Sequence, residues 1–352
     1  MNDSTLNDFK DFVLKSCGPL ADRDRALVAA DYFLDHGETK LAASAFDLAY
    51  GINPHDQHVA RLRRDVLDQL SLEKHGVTYR YIPAGTSLLI DETDDLSPVF
   101  LDEFWMAETP TTWSFLCDVQ GWSPPPEAAP PEELERREMF HLYQEHKIRF
   151  QYCETETKEA RDWHAHRPTD QWTQAGKTVS AEELFGKIPR DNPERPWSYN
   201  IKPMVSVSWQ DAEIMCDAIS NSQEKFGLPS RAQWEKAARG GLIGCLYPWG
   251  NEPPDPSRCD FGHLGEFVIY PPQVLPPNGY GLLGMAGGVW EWTNNAGSEP
   301  HSRLLCGGSW TDSAASMMIG FTMELNARSW LDDEWGSHVC PNLGFRTCLK
   351  MN

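Results

Sequence analysis

The stretch "NGYGLLGMAGGVWEWTNN", residues 278–295, decides the fold of this chain. It combines closely spaced glycines with two tryptophans that flank Glu291. Tryptophan brings a large apolar surface and an indole N–H that needs a partner, while glycine permits positive φ angles and very close backbone approach. The stretch is therefore a candidate either for tight packing or for chemistry, and the rest of the chain has to decide between the two.

Composition narrows the function classes. The chain has 352 residues, enough for two or three domains, and a formal net charge of −21. That charge argues against nucleic-acid binding, which needs Lys and Arg to neutralise phosphates, and against adsorption to anionic membranes. No apolar run approaches the roughly 18 residues of a membrane span. Nine scattered cysteines without a secretory signal indicate reduced thiols, so we expect a cytoplasmic protein.

Residues 1–73 are predicted to be helical, because Pro and Gly are sparse and apolar residues recur at helical spacing. Small and aromatic residues form two stripes, and a turn at Gly37 separates them: Ala26, Ala29, Ala30 and Phe33, then Ala42, Phe46 and Ala49. This spacing resembles one tetratricopeptide repeat. Two roles are open for such a tetratricopeptide-like segment. It either offers a groove to a peptide or protein partner, or it is a helical cap that packs on the next domain.

From Val77 the pattern changes to short strands and turns, beginning with the alternating stretch "VTYRYI". An insertion at about 121–196 interrupts this region. It opens with a polyproline-like run and continues as a charged helix predicted near 132–147. The insertion is either a lid or partner contact, or a surface excursion without a role in chemistry, since long insertions cost little free energy.

Several further motifs share one order along the chain: "IPAG" (82–85), "VSVSWQDAEIMC" (205–216), "LPSRAQWEKAARGG" (228–241), "YPWGNE" (247–252), "CGGSW" (306–310) and "NLGFR" (342–346). Together with 278–295 they resemble the sulfatase-modifying-factor family, which has the fold of the formylglycine-generating enzyme. The resemblance covers residues 77–352 apart from the insertion. It implies an α+β, C-type-lectin-like domain with little regular secondary structure, preceded here by the small helical domain.

In such a fold, tryptophans would serve as structural anchors, and the resemblance implies this role for Trp209, Trp234, Trp249, Trp290, Trp292 and Trp310. The stretch 228–241 is predicted to form an amphipathic helix. Trp234, Ala237 and Ala238 face inward, and Gly240 ends the helix. The opening stretch is thus interpreted as a packing signature rather than a catalytic one.

The family's catalytic thiols are missing. Formylglycine-generating enzymes use two cysteines after the GGS motif to bind copper and to form a mixed disulfide with substrate. Alignment from Gly307 places Asp312 and Met317 at those positions. An Asp and a Met do not replace two thiolates as ligands of Cu(I), so formylglycine formation is not expected. Cys306 and Cys340 lie beside family motifs and are interpreted as buried, inert thiols.

Metal sites are the second chemical question. His164 and His166, in "DWHAHRP", are candidate ligands from an extended segment. With Asp312 and Cys340 they make up the alternative hypothesis of a metal-dependent oxidoreductase that acts on a peptide or a small thiol. The resemblance also implies calcium sites near Glu291 and Asp260. Gly288 stands where the family carries an Asn ligand, which would weaken the first site.

The favoured hypothesis is a non-catalytic protein-binding or regulatory module. By resemblance, residues 310–341 form the substrate face of the family. The predicted apolar anchors on this face are Trp310, Met317, Phe321, Trp330 and Trp335. Asp332 and Asp333 add a negative rim, which predicts a protein partner with a basic rim.

Overall fold

The fold was analysed in a computed structural model of the protein. The structure describes residues 3–91, 95–112, 115, 119, 203–204, 207–262, 270–327 and 342–351, and the backbone of 172–174 and 177–179. The predicted helix near 132–147 and nearly all of the insertion lie outside this set. None of the described helices is long and apolar enough to cross a membrane.

Four helices form the N-terminal part, as the apolar spacing predicts: α1 Asp3–Lys15, α2 Arg23–Asp35, α3 Thr39–Ile52 and α4 Gln57–Leu70. Asp22 and Asp56 cap α2 and α4, because their carboxylates accept backbone N–H groups of the first turn. Both predicted stripes are buried, and Phe33 and Phe46 belong to one continuous core with the following sheets. The helical segment therefore packs on the second part of the chain.

Short strands follow directly: β1 Leu72–Lys74, β2 Val77–Ile82, β3 Gly85–Ile90, β4 Leu96–Leu101, β5 Phe104–Ala107, β6 Trp172–Gln174 and β7 Lys177–Val179. After helix α5 (Trp209–Ile219), strand β8 spans Glu224–Gly227, and β13 spans Cys348–Met351. One antiparallel sheet has the order β1-β2-β5-β13-β8. Since β13 is close to the end of the chain, it closes the sheet between strands that are distant in sequence.

The stretch 278–295 leads into the second sheet. Its strands are β9 Trp290–Ala296, β10 Ser302–Cys306, β11 Thr322–Asn326 and β12 Leu343–Phe345, in the order β11-β10-β9-β12. Strand β12 runs parallel to β9 and places Gly344 opposite Glu291. The described residues thus combine an N-terminal helical part with sheets of short strands, so the chain is α+β, as predicted.

Helix α6 (Arg231–Arg239) confirms the prediction for residues 228–241. Ser230 and Gln233 form a capping box at its start, and Gly240 ends it with a left-handed φ of 61°. Trp234, Ala237 and Ala238 are completely buried. Of the predicted tryptophan anchors, Trp234, Trp290, Trp292 and Trp310 are buried, and Trp209 and Trp249 are partly buried.

Candidate functional site

An ion pair between Glu291 and Arg346 lies at the centre of the second sheet. Arg346 Nη2 is 2.9 Å from Glu291 Oε1, and both side chains are almost fully buried. The guanidinium also donates to the carbonyls of Ala107, Glu108 and Leu283 at 2.7–2.9 Å. Trp234 donates its indole N–H to Glu291 Oε2 at 2.7 Å. Every polar group of the pair thus has a partner, as a buried charge requires.

This arrangement argues against the calcium role expected of Glu291. Both carboxylate oxygens accept from Arg346, and one also accepts from Trp234. Calcium binding would have to displace a buried cation from the carboxylate, which leaves that cation uncompensated. Asp260 is also buried, and its backbone carbonyl accepts the Gly288 N–H at 2.8 Å. The loop that follows it, 263–269, lies outside the described residues.

The GGS turn holds Asp312 in a hydrogen-bonded network. The Ser309 hydroxyl donates to the Asp312 carboxylate and lies 3.0 Å from Thr311 Oγ1. Asn342 Nδ2 donates to Ser309 Oγ and Thr311 Oγ1 at 3.0 and 2.9 Å. Sequence reasoning did not select Asn342, although it begins the quoted motif NLGFR. The network gives Asp312 a hydroxyl donor and a fixed place in the turn, which is a structural role.

Met317, at the second thiol position, is buried with 1% of its surface exposed. It ends a 3-10 helix, Ala314–Met317, and forms an apolar cluster with Cys259 and Ala286. Tyr247 and Trp249, whose rings stack at a centroid distance of 5.3 Å, pack against this cluster. The thioether therefore fills space in the interior, where a family member would need a thiol that substrate can reach.

The neighbouring described thiols do not replace the missing pair. Cys306 and Cys259 are both buried. Burial raises the pKa of Cys306 far above its usual range and raises the pKa of Cys259 to about 12. Since the thiolate is the nucleophile and metal ligand, thiols that stay protonated at neutral pH are inert. This agrees with the prediction for Cys306, while Cys340 lies outside the described residues.

The predicted binding face is only partly as expected. Trp310 and Met317 are both 1% exposed, so they are core residues and cannot be anchors for a partner, which corrects the prediction for these two. Phe321 is 40% exposed, with its ring 6.0 Å from the buried Trp290 ring. The other predicted members of the face lie outside the described residues: Trp330, Asp332, Asp333 and Trp335.

The described residues contain no cluster of three or more His, Cys, Asp or Glu side chains that could hold a metal ion. His164 and His166, the predicted metal ligands of the insertion, fall outside that part of the chain. Their role as ligands stays a prediction.

Arg63 is a buried cation that sequence reasoning missed. It lies on α4, in line with the buried Val59, Val66 and Leu67. Arg63 Nη2 is 2.6 Å from Asp47 Oδ1, and the side chain donates to the Gly279 and Gly240 carbonyls at 2.6 and 3.0 Å. A charged residue inside an apolar helical stripe was the available signal.

A cleft of about 650 Å³ opens between the helical segment and the second part of the chain. Its walls include Tyr50, Pro54, Trp249, Arg258 and Pro277. This volume lies within the range of about 300–1,000 Å³ that is typical of ligand sites.

Comparison with known proteins gives a family match and several relatives. Residues 81–350 match the family model described as "Sulfatase-modifying factor enzyme 1-like domain". "Inactive C-alpha-formylglycine-generating enzyme 2" of Bos taurus is 35% identical over 160 residues, 41% of this chain and 49% of that protein. "Formylglycine-generating enzyme" of Thermomonospora curvata is 42% identical over 102 residues, 26% of this chain and 32% of that protein. The chain thus spans about half the length, or less, of these two curated relatives.

Among solved structures, PvdO from Pseudomonas aeruginosa aligns over 80% of this chain and 98% of its own, with 15% identity and a TM-score of 0.48. The Treponema denticola variable protein 1 aligns over 79% of this chain and 97% of its own, with 19% identity and a TM-score of 0.44.

Proposed function

This chain belongs to the sulfatase-modifying factor enzyme 1-like family, and within that family we propose that it is a non-catalytic protein-binding or regulatory module. One observation carries the proposal. The two positions that bear thiols in formylglycine-generating enzymes are Asp312, hydrogen-bonded to Ser309, and Met317, which is buried. A relative whose name begins with "Inactive" supports the same reading.

We expect that the purified protein does not convert a peptide with a Cys-x-Pro-x-Arg sequence to formylglycine, with or without copper. Neither a carboxylate nor a thioether can form the mixed disulfide or the dithiolate copper site. Mass spectrometry of the peptide measures the outcome, because oxidation of the cysteine to an aldehyde changes its mass.

The double variant Asp312→Cys/Met317→Cys is the matched control. We expect it to bind Cu(I) more tightly than the wild type, which titration against a Cu(I) chelator measures. Formylglycine made by the wild-type protein would overturn the proposal. A stoichiometric redox metal in the purified wild type would favour the alternative oxidoreductase with His164, His166 and Cys340.

The binding half of the proposal rests on the face that includes Phe321. In our proposal Trp330 and Trp335 are its anchors, and Asp332 and Asp333 select a partner with a basic rim. Affinity capture from the native host, followed by affinity measurements with the captured protein, tests this. Trp330→Ala and Trp335→Ala should each weaken binding by about 2 kcal/mol. Unchanged affinity in both variants removes this face.

We also propose a cytoplasmic location. The described cysteines are free thiols, including the half-buried Cys17 and Cys245, which supports a reducing compartment. Fractionation of the native host with an antibody against the chain tests it, and recovery outside the cytoplasmic fraction would refute it.

A further inference from the structure

The hairpin of β3 and β4 presents an apolar outer strand. Leu96, Pro98 and Phe100 alternate along β4 and share one face, and all three are exposed. Leu96 and Phe100 expose 47% and 49% of their surface. Among the described strands β4 pairs only with β3, and none of them lies along its outer edge. Exposed apolar residues along an open strand edge are unusual in stable monomers, because they invite pairing with another chain.

Leu96, Pro98 and Phe100 direct their backbone polar groups toward the outer edge of β4. The Asp91 N–H donates to the Asp95 carbonyl at 2.9 Å, so this pair is hydrogen-bonded across the hairpin. Hydrogen-bonded and non-hydrogen-bonded pairs alternate in antiparallel strands. The backbone N–H and C=O groups of Leu96 and Phe100 therefore point away from β3. Pro98 also faces outward, where its missing N–H removes no hydrogen bond from the hairpin.

Among the described residues, the helical segment contacts β3, the inner strand of the hairpin. Thr86 of β3 donates its hydroxyl to the Leu14 carbonyl at 2.8 Å. Gly18, three residues beyond the end of α1, lies against the side chain of Leu88, the cross-strand partner of Pro98. Leu20, two residues after Gly18, is 97% exposed. Leu88, beside Pro98 in the hairpin, thus reaches the turn that follows α1.

Charge decides what occupant this edge would accept. Asp91 and Asp95 precede β4 and Asp102 follows it, while Glu103 is already paired with Lys40 at 3.1 Å. If two copies paired antiparallel through β4, Asp95 of one copy would lie near Asp102 of the other. Opposed like charges destabilise strand pairs, and the net charge of −21 adds repulsion. An extended segment flanked by Lys or Arg meets attraction at both ends instead.

We propose that the outer edge of β4 is a docking strand for an extended segment of a partner protein, with alternating apolar residues flanked by basic ones. The partner adds a third strand to the hairpin. Main-chain hydrogen bonds to Leu96 and Phe100 supply affinity, and the apolar face and acidic ends supply selectivity. This inference goes beyond the proposed function, because it does not depend on residues 310–341.

A fluorescein-labelled peptide KKVTVTVKK is the probe, and fluorescence anisotropy with the full chain measures its binding. We expect saturable binding that weakens with added salt, and no binding of the peptide EEVTVTVEE. Phe100→Pro, which removes the outward N–H and the ring, should weaken binding about tenfold or more. Phe100→Ala keeps the N–H and should lose less. Ile214→Ala, an exposed apolar residue on α5, is the matched control and should bind like wild type.

Hydrogen exchange reports the backbone contact directly. The amides of Leu96 and Phe100 should exchange more slowly in the complex. If Phe100→Pro lowers thermal stability, hydrogen exchange of the Phe100→Ala variant with bound peptide decides the case. Equal binding of both peptides, or wild-type affinity in both Phe100 variants, would overturn the proposal. A dimer in sedimentation that Phe100→Ala dissociates would overturn it too, by assigning the edge to a second copy.

Discussion

Glu291 and Arg346 show how single residues stabilise this fold. Their ion pair joins β9 to the residue that follows β12, and Arg346 also binds the carbonyls of Ala107 and Leu283. Removing one partner of such a pair leaves a buried charge without compensation, which destabilises more than the pair itself contributes. Glu291 and Arg346 are therefore expected to contribute to stability rather than to contact with a ligand, because both side chains are buried.

We predict that Glu291→Gln lowers the free energy of unfolding by about 3–5 kcal/mol, since Arg346 keeps its charge and loses its counterion. Urea denaturation followed by tryptophan fluorescence measures it. Asp11→Asn serves as the control, because Asp11 pairs with Lys15 on the exposed face of α1, where a surface ion pair contributes less than about 1 kcal/mol. A similar small loss in both variants would contradict the structural role of Glu291.

At the scale of secondary-structure elements, the end of α6 explains why glycines are frequent at the start of the stretch 278–295. Gly240 ends α6 at a φ of 61°, and a Cβ added there would lie 2.6 Å from the Gly279 nitrogen. The end of the helix thus crosses the start of the 278–295 stretch at backbone contact distance. Both segments need glycine at this crossing, which is a packing requirement and not a catalytic one.

We predict that Gly240→Ala destabilises the protein clearly more than Gly37→Ala. Gly37 has a similar φ of 76° but nothing within 4 Å of an added Cβ, so its variant carries only the left-handed backbone strain of about 1–2 kcal/mol. Gly240→Ala adds an overpacking term of about 1–3 kcal/mol. Thermal and urea unfolding of both variants compare them, and equal losses would refute the close crossing.

The loop 297–302 depends on a second carboxylate. Glu324 on β11 accepts from the Ser302 and Ser298 hydroxyls and from the Glu299 N–H. These hydrogen bonds, that of Ser302 first, lower the pKa of Glu324 to about 2. Because the folded pKa is depressed, the stabilisation is present above the unfolded value of about 4.3 and is lost as the pH falls through about 2.

We therefore expect the loop 297–302 to loosen between about pH 4 and pH 2. Hydrogen exchange of the Glu299 amide across this interval measures the change. In Glu324→Gln the loop should be less protected at neutral pH and almost insensitive to acid in the same interval. A wild-type profile in this variant would show that Glu324 does not hold the loop.

At the scale of the whole molecule, Arg63 links the helical segment to the rest of the chain. It binds Asp47 within the helices and the carbonyls of Gly240 and Gly279 beyond them. The ring of Tyr280 lies 4.5 Å from its guanidinium, and the Tyr280 hydroxyl donates to Asp47 at 2.8 Å. The helical segment is thereby joined to the crossing of Gly240 and Gly279.

We predict that Arg63→Ala lowers the free energy of unfolding by about 3–5 kcal/mol, because Asp47 and two carbonyls lose their donor. The helical segment should also become sensitive to proteolysis before the rest of the chain. Arg64→Ala is the matched control, because Arg64 is the next residue and is exposed; its effect should stay within about 0.5 kcal/mol. Equal protease sensitivity of the two variants would refute the role of Arg63.

The sequence by itself determined the features that depend on neighbouring residues. Helical spacing and turn residues locate α6, its buried Trp234 and its end at Gly240, and residue identity alone shows that Asp312 and Met317 are not thiols. Order of motifs identified the family. These features are local, because they follow from side-chain chemistry and from periods of a few residues.

Only the tertiary structure decided which side chains are paired and which are accessible. Trp310 and Met317 could be anchors or core residues in the sequence, and the fold buries both, Met317 in a cluster with Cys259. Arg63 meets Gly240 and Gly279 across 177 and 216 positions of the chain. Such contacts depend on how strands and loops converge in space, and no short period in the sequence records that convergence.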